Sequence, residues 1–231
     1  EKVSNYIDDY WNEKNDDEEI EKSEIEIAIN EGKVFEKNTI IYDKFKNAVK
    51  IPAGFKLSTD SGKTVLEGVV IEDVEAGDET SKGNQYVWVP VGNVKTNTSG
   101  DAKKINLGRY EFETNTEGVI EQSADNYTST VTINSYYQEL VSSSYGNTVA
   151  KNLGDFITKA KNAGGYYIGR YEAGKVNGNE NKFYVKKNQT VYDNITQPFA
   201  STIAKNLYNE NNNFQSDLIN SYAWDTAIMY I

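Results

Sequence analysis

Gln85–Val91 (Gln-Tyr-Val-Trp-Val-Pro-Val) narrows the folds open to this chain more than any other segment. Tyr86, Trp88 and Pro90 alternate with Val87, Val89 and Val91, so large apolar residues fill both sides of the strand this pattern predicts. A strand of that kind needs cover on both faces, which calls for layered packing. Pro90 cannot donate to a ladder, so the strand is expected to end there at an edge or bend.

The core around it must hold without covalent help. The 231 residues include no cysteine, which excludes disulfides, thiolate nucleophiles, iron–sulfur clusters and zinc–thiolate sites. They include no histidine, which excludes a Ser-His-Asp triad and imidazole metal sites. Carboxylate chemistry and oxygen-liganded Ca2+ or Mg2+ pass this filter. Lys and Arg number 24 against 35 Asp and Glu, a formal net charge of −11. That field repels phosphate backbones and anionic lipid, so neither nucleic acid nor a membrane surface is an expected partner. No apolar run approaches the roughly 20 residues of a membrane span. The first residue is Glu1, which reads as a processed product whose targeting segment lies elsewhere.

The expected organisation is α+β. Residues 1–38 form an acidic, partly helical segment, 39–91 a β-hairpin-rich region, and 92–231 a mixed region with two to three helices. Tyr6, Ile7, Tyr10 and Trp11 fall on one helical stripe ahead of the charged run Glu13–Glu26. Ile25, Ile27 and Ile29 alternate and read as a half-buried strand ending before Gly32. Thr39–Phe45 and Ala48–Ile51, around Lys46-Asn47, read as a hairpin, and Val65–Asp73 as the next strand. Residues 92–104 and 114–135 are rich in Asn, Thr, Ser and Gly and read as loops.

A helix is predicted over about Val149–Asn162, with Leu153, Phe156, Ile157 and Ala160 on one face and Gly164-Gly165 as its stop. Tyr166–Ala173 and Lys182–Lys187 read as strands flanking an Asn/Gly turn at Asn177–Asn181. Pro198–Tyr208 reads as a helix. Ser216-Asp217 is expected to cap a last one, carrying Leu218, Tyr222, Asp225 and Met229 on successive turns and Trp224–Ile228 as an apolar pair.

Gly-Arg-Tyr-Glu occurs twice, at 108–111 and 169–172, each time after an aliphatic residue. Two readings are open. Each copy marks a strand whose Arg and Glu pair across a sheet or loop, or the copies supply a polar ligand site. For the second reading the candidate ligand-binding residues are Arg170, Tyr171 and Glu172, then Arg109 and Glu111.

Several strings in order resemble a known family. They are Ile51–Lys56 (Ile-Pro-Ala-Gly-Phe-Lys), Glu67–Asp73 (Glu-Gly-Val-Val-Ile-Glu-Asp), Tyr86–Val91, Gly164–Glu172 and Ser221–Ala227 (Ser-Tyr-Ala-Trp-Asp-Thr-Ala). Over about residues 39–231 the chain resembles exported proteins of Gram-positive gut bacteria with a prepilin-like leader and stalk. Their C-terminal module resembles the formylglycine-generating, sulfatase-modifying family, a variant of the C-type-lectin fold. The resemblance implies a lectin-like module of which only the N-terminal part is present, and a place outside the cell. The copper-binding cysteines and the His-rich iron site of that family's catalytic branches have no counterpart here, so neither activity is implied.

The remaining candidates are oxygen-rich or aromatic. Asp8, Asp9, Asn12, Asn15, Asp16 and Asp17 lack the Gly and terminal Glu of an EF-hand. Asn177, Asn179 and Asn181 also suit a hairpin tip, and Asp73, Glu75, Asp78 and Glu79 have no better spacing. No cofactor is expected, with calcium the open alternative. Tyr86, Trp88, Tyr110, Tyr166, Tyr167, Tyr171 and Trp224 supply either core or a sugar-stacking surface. The function expected is a non-catalytic, extracellular, surface or pilus-associated binding protein for a glycan or protein ligand. The alternatives are a subunit that polymerises with copies of itself and, behind it, a carboxylate-only glycan hydrolase.

Overall fold

The structure, a computed structural model, describes residues 22–112, 119–122, 153–208 and 214–230. The Tyr6–Trp11 stripe, the Asp8–Asp17 cluster and most of 114–135 lie outside them. Within them the protein is α+β, with four α-helices and several antiparallel sheets.

The first helix, α1 (Glu24–Glu31), is a correction: the Ile25-Ile27-Ile29 alternation is helical. Ser23 and Glu26 form a reciprocal capping box, and Gly32 closes the helix in the left-handed conformation at φ 60. Ile25 and Ala28 turn inward while Ile27 is exposed, so period 3.6 replaces the apparent period of 2.

The expected hairpin follows as β1 (Thr39–Tyr42) and β2 (Ala48–Ile51), with Lys46 at φ 63 in the turn. After β3 (Phe55–Leu57), the strand expected from Val65 begins later. Val65–Glu67 is a single 3-10 turn capped by Thr64, and Gly68 at φ 84 redirects the chain into β4 (Val70–Asp73). Next comes β5 (Gln85–Pro90). Residues 92–104 are also corrected: β6 (Gly92–Lys95) and β7 (Ala102–Ile105) make a hairpin. Only Val94 and Ile105 are buried from it, too sparse an apolar pattern to show in a polar stretch. β8 (Arg109–Phe112) pairs with β9 (Val119–Gln122), which falls inside the second stretch read as loop.

The expected helix is α2 (Leu153–Ala163), ended by Gly164 at φ 73. β10 (Gly165–Gly169), β11 (Gly174–Lys175) and β12 (Phe183–Tyr184) are shorter than the strands read there. α3 (Gln197–Asn206) has Pro198 in its first turn, as expected. The last helix, α4, runs Ser221–Tyr230, and its cap is Asn220, whose side chain accepts from the Ala223 N–H at 3.0 Å. Ser216, Asp217 and Leu218 precede it, and Trp224 and Ile228 face outward.

The central sheet is antiparallel in the order β10-β5-β4-β3. Cross-strand register puts Phe55, Leu57, Ile71, Tyr86, Trp88 and Tyr167 on one face. That face packs with Ile25, Phe35, Val49, Ile51, Val94, Ile105 and Tyr208, so one core draws on all three stretches of the sequence. On the opposite face Tyr166 packs beside Phe156, Ile157 and Ala160 of α2, with Leu107. The second half of β5 is therefore covered on both faces, as its sequence requires. Gln85, Val87 and their neighbours, on the first half, are only half-buried.

Candidate functional site

The outer face beside the first half of β5, half-buried among the described residues, carries a row of polar side chains. Lys56 on β3, Glu72 on β4 and Gln85 on β5 are direct cross-strand partners. Arg170 extends the row past the end of β10, where its N–H donates to the Gln85 carbonyl at 3.0 Å. The side chains link up in the same order. Lys56 Nζ lies 3.1 Å from Glu72 Oε1, and Gln85 Nε2 donates to Glu72 Oε2 at 2.9 Å. Arg170 Nη1 donates to Gln85 Oε1 at 2.8 Å and to Asp60 Oδ1 and Oδ2 at 2.8 and 2.9 Å. Ser58 closes the loop, donating to Asp60 at 2.5 Å and accepting from Gln85 Nε2 at 3.3 Å.

Hydrogen bonds from Arg170 and Ser58 hold the Asp60 carboxyl down at about 2. Arg170 is raised in turn, chiefly by Asp60. The guanidinium also stands over the Tyr171 ring, 5.5 Å from its centroid. Its Nε and Nη2 make no hydrogen bond among the described residues, and a quarter of its side chain is exposed (25%). Arg170 and Tyr171 thus stand together, as the sequence suggested. Glu172 is exposed and is not Arg170's partner. Asp60, Ser58, Gln85, Glu72 and Lys56 were not among the sequence candidates: strand register reveals the last three, and hydrogen bonds from the turn after β3 the first two.

The other copy of the motif does different work. Arg109 Nε donates to Asp225 Oδ2 of α4 at 2.6 Å, and the Tyr110 N–H donates to the same oxygen at 3.0 Å. Gly108 N–H donates to Thr226 Oγ1 at 3.1 Å, and Tyr110 Oη to the Asn106 carbonyl at 2.7 Å. Asp225 and Thr226 are buried. The first motif is therefore a clamp between β8 and α4. Each Arg pairs with an Asp distant in sequence, Arg109 with Asp225 and Arg170 with Asp60; the Glu111 side chain lies outside the described residues. Asp225→Ala is expected to lose about 2–3 kcal/mol, because the Tyr110 N–H is left without its acceptor. Arg109→Ala should lose less than about 1 kcal/mol, since its side chain is half exposed (48%). Urea unfolding of the two variants checks the ordering.

The calcium clusters within the described residues have other partners. Asp73 accepts from Tyr208 Oη and the Ala76 N–H, each at 2.9 Å, Asp78 pairs with Lys182, and Glu79 with Lys82 at 2.6 Å. Asn179 Oδ1 accepts from the Asn181 N–H, as at a hairpin tip. Among the described residues no group of three or more acidic side chains is placed to hold a metal ion. Of the aromatic candidates, Trp88 and Tyr110 are buried and Tyr86, Tyr166 and Tyr167 pack against the two cores. Burial pushes the Tyr86, Tyr166 and Tyr167 hydroxyls well above their ordinary range. Trp224 is 55% exposed and Ile228 42%.

Compared with known proteins, the chain matches no family model, no curated protein and no solved structure. Among the described residues no helix is long and apolar enough to cross a membrane.

Proposed function

We propose that the protein is a non-catalytic binding protein displayed outside a bacterial cell, with the Lys56–Glu72–Gln85–Arg170 row as its ligand face. The observation that carries the reading is Arg170 itself. One nitrogen is locked by Asp60 and Gln85, while Nε and Nη2 make no hydrogen bond among the described residues and the group stands over the Tyr171 ring. A planar donor group fixed in this way loses little side-chain entropy when a ligand arrives. Both carboxylates in the row are tied to cations, which suits recognition better than acid–base chemistry. The extracellular place rests on the resemblance to exported, lectin-fold proteins and on a cysteine-free, Tyr-rich composition.

Arg170→Ala tests it. Binding to glycan arrays or to intact host and microbial cells should be lost, with stability reduced by no more than about 1 kcal/mol. A steep fall in melting temperature with binding retained would mark the row as architecture. Acid supplies a second check. Because the folded-state carboxyl of Asp60 is depressed, its stabilisation is complete above its ordinary value of 3.8 and is lost as pH falls through about 2. The wild type should lose that small increment between those values, and the Arg170→Ala variant should lose a smaller one, since Ser58 still donates to Asp60.

A second reading, a subunit that contacts copies of itself, is favoured by the exposed Trp224 and Ile228 on one stripe of α4. Ordered polymers by electron microscopy, abolished by Trp224→Ala, would support it.

A further inference from the structure

We infer that the ligand of the polar row is a neutral glycan lying across the strands, with about one sugar ring for each strand it crosses. The inference rests on the binding reading above and concerns what is bound.

Three properties of the row lead to it. Its charges cancel: Lys56 and Arg170 are matched by Glu72 and Asp60 within one hydrogen-bonded chain. An anionic ligand would meet no net attraction there and would be repelled by a chain of net charge −11. A cationic ligand would have to displace Lys56 and Arg170 from the carboxylates they already neutralise.

The second property is the sequence of donors and acceptors. Ammonium, carboxylate, carboxamide and guanidinium follow one another across four strands, at the strand spacing of about 4.8 Å. Sugar hydroxyls both donate and accept, and a pyranose ring is comparable in length to that spacing. A chain of rings laid along the row would therefore meet a donor or an acceptor at each step. Nε and Nη2 of Arg170, which make no hydrogen bond among the described residues, provide the strongest single contact.

The third property is the neighbouring surface. Val87 and Ile168 are cross-strand partners on the same face as Gln85, one register step along, and both are half-buried. With the Tyr171 ring they give the C–H face of a sugar something to pack on. The polar groups are tied to one another beforehand, so ordering them costs a ligand little.

The test is calorimetric titration of the whole chain with neutral oligosaccharides of glucose, mannose, galactose and N-acetylglucosamine, graded in length. Oligogalacturonate and an acidic and a basic peptide serve as charged probes. Affinity for at least one neutral series should rise several-fold with each added ring up to about four, one per strand, and then level. Lys56→Ala, at the half-buried β3 end of the row, should weaken the longest oligomers and leave the shortest unchanged. Arg170→Ala should weaken all of them, and Arg170→Lys should restore only part, since the planar fork is lost.

Tight binding of oligogalacturonate or a peptide in preference to every neutral series would overturn the neutral glycan and leave the binding reading standing. A neutral ligand whose length dependence ignores Lys56→Ala would overturn the placement across the strands. If the folded wild type binds none of these probes and no cell surface, the binding reading falls with the inference.

Discussion

Asp43→Ala is expected to destabilise the protein by about 3–5 kcal/mol, although the residue lies far from any candidate ligand. Asp43 is 1% exposed, and its carboxylate accepts from four N–H groups. Oδ1 takes the Phe45 and Asn47 backbone N–H groups at 2.9 and 2.8 Å. Oδ2 takes Asn47 Nδ2 at 2.9 Å and the Val65 N–H at 3.0 Å. Asn47 in turn pairs with the backbone of Lys95 in both directions, accepting at 2.7 Å and donating at 2.9 Å. One carboxylate thus ties the β1–β2 turn to the Val65 turn and, through Asn47, to β6. Its removal leaves three backbone N–H groups without their acceptor and takes one of two acceptors from the Asn47 amide, which keeps the Lys95 carbonyl. Asp43→Asn keeps one acceptor oxygen and should fall between wild type and Ala. Urea unfolding reads the series; a loss below about 1 kcal/mol for Asp43→Ala would mean that water replaces the carboxylate with little penalty.

Phe55→Ala should cost a comparable amount, about 3–5 kcal/mol. The ring is 2% exposed and sits among Tyr86, Tyr208 and Phe214, with centroids at 6.1, 5.8 and 5.6 Å. Tyr208 also donates to the buried Asp73, so a cavity at Phe55 would loosen a packed ring that carries a polar anchor. Phe55→Leu refills much of the volume and should lose clearly less. Equal losses for Ala and Leu would show that edge-to-face ring contacts outweigh volume here. Neither Asp43 nor Phe55 lies in the polar row, so both variants, where folded, should keep ligand affinity.

Legibility in the sequence differed from element to element for physical reasons. The β1–β2 hairpin, β5, the stop of α2 and the Pro-led start of α3 were readable, because period-2 alternation and Gly or Pro signals are local. α1 was misread although Ser23-x-x-Glu26 spelled a capping box; the acidic run around it hid the signal. The β6–β7 hairpin was missed because only two of its residues are buried. At the site, Arg170 and Tyr171 were singled out from the repeated motif. Nothing in that repeat separates Arg170, which lies on an open face, from Arg109, which clamps a helix.

The strand Gln85–Val91 marks the division. Its alternation alone pointed to burial on both faces, which holds for the second half of the strand, and to an end at Pro90, since β-branched and aromatic alternation and a missing N–H act within a few residues. The zeros in cysteine and histidine likewise settled, without any structure, which chemistries this chain does not perform. What stands beside that strand was decided only in three dimensions. Arg109 meets Asp225 across a separation of 116 residues and Arg170 meets Asp60 across 110. Such partners are chosen by strand order and register, which are set by the burial of whole faces rather than by local pattern. The same register brought Lys56, Glu72 and Gln85 into one row on the sheet's outer face.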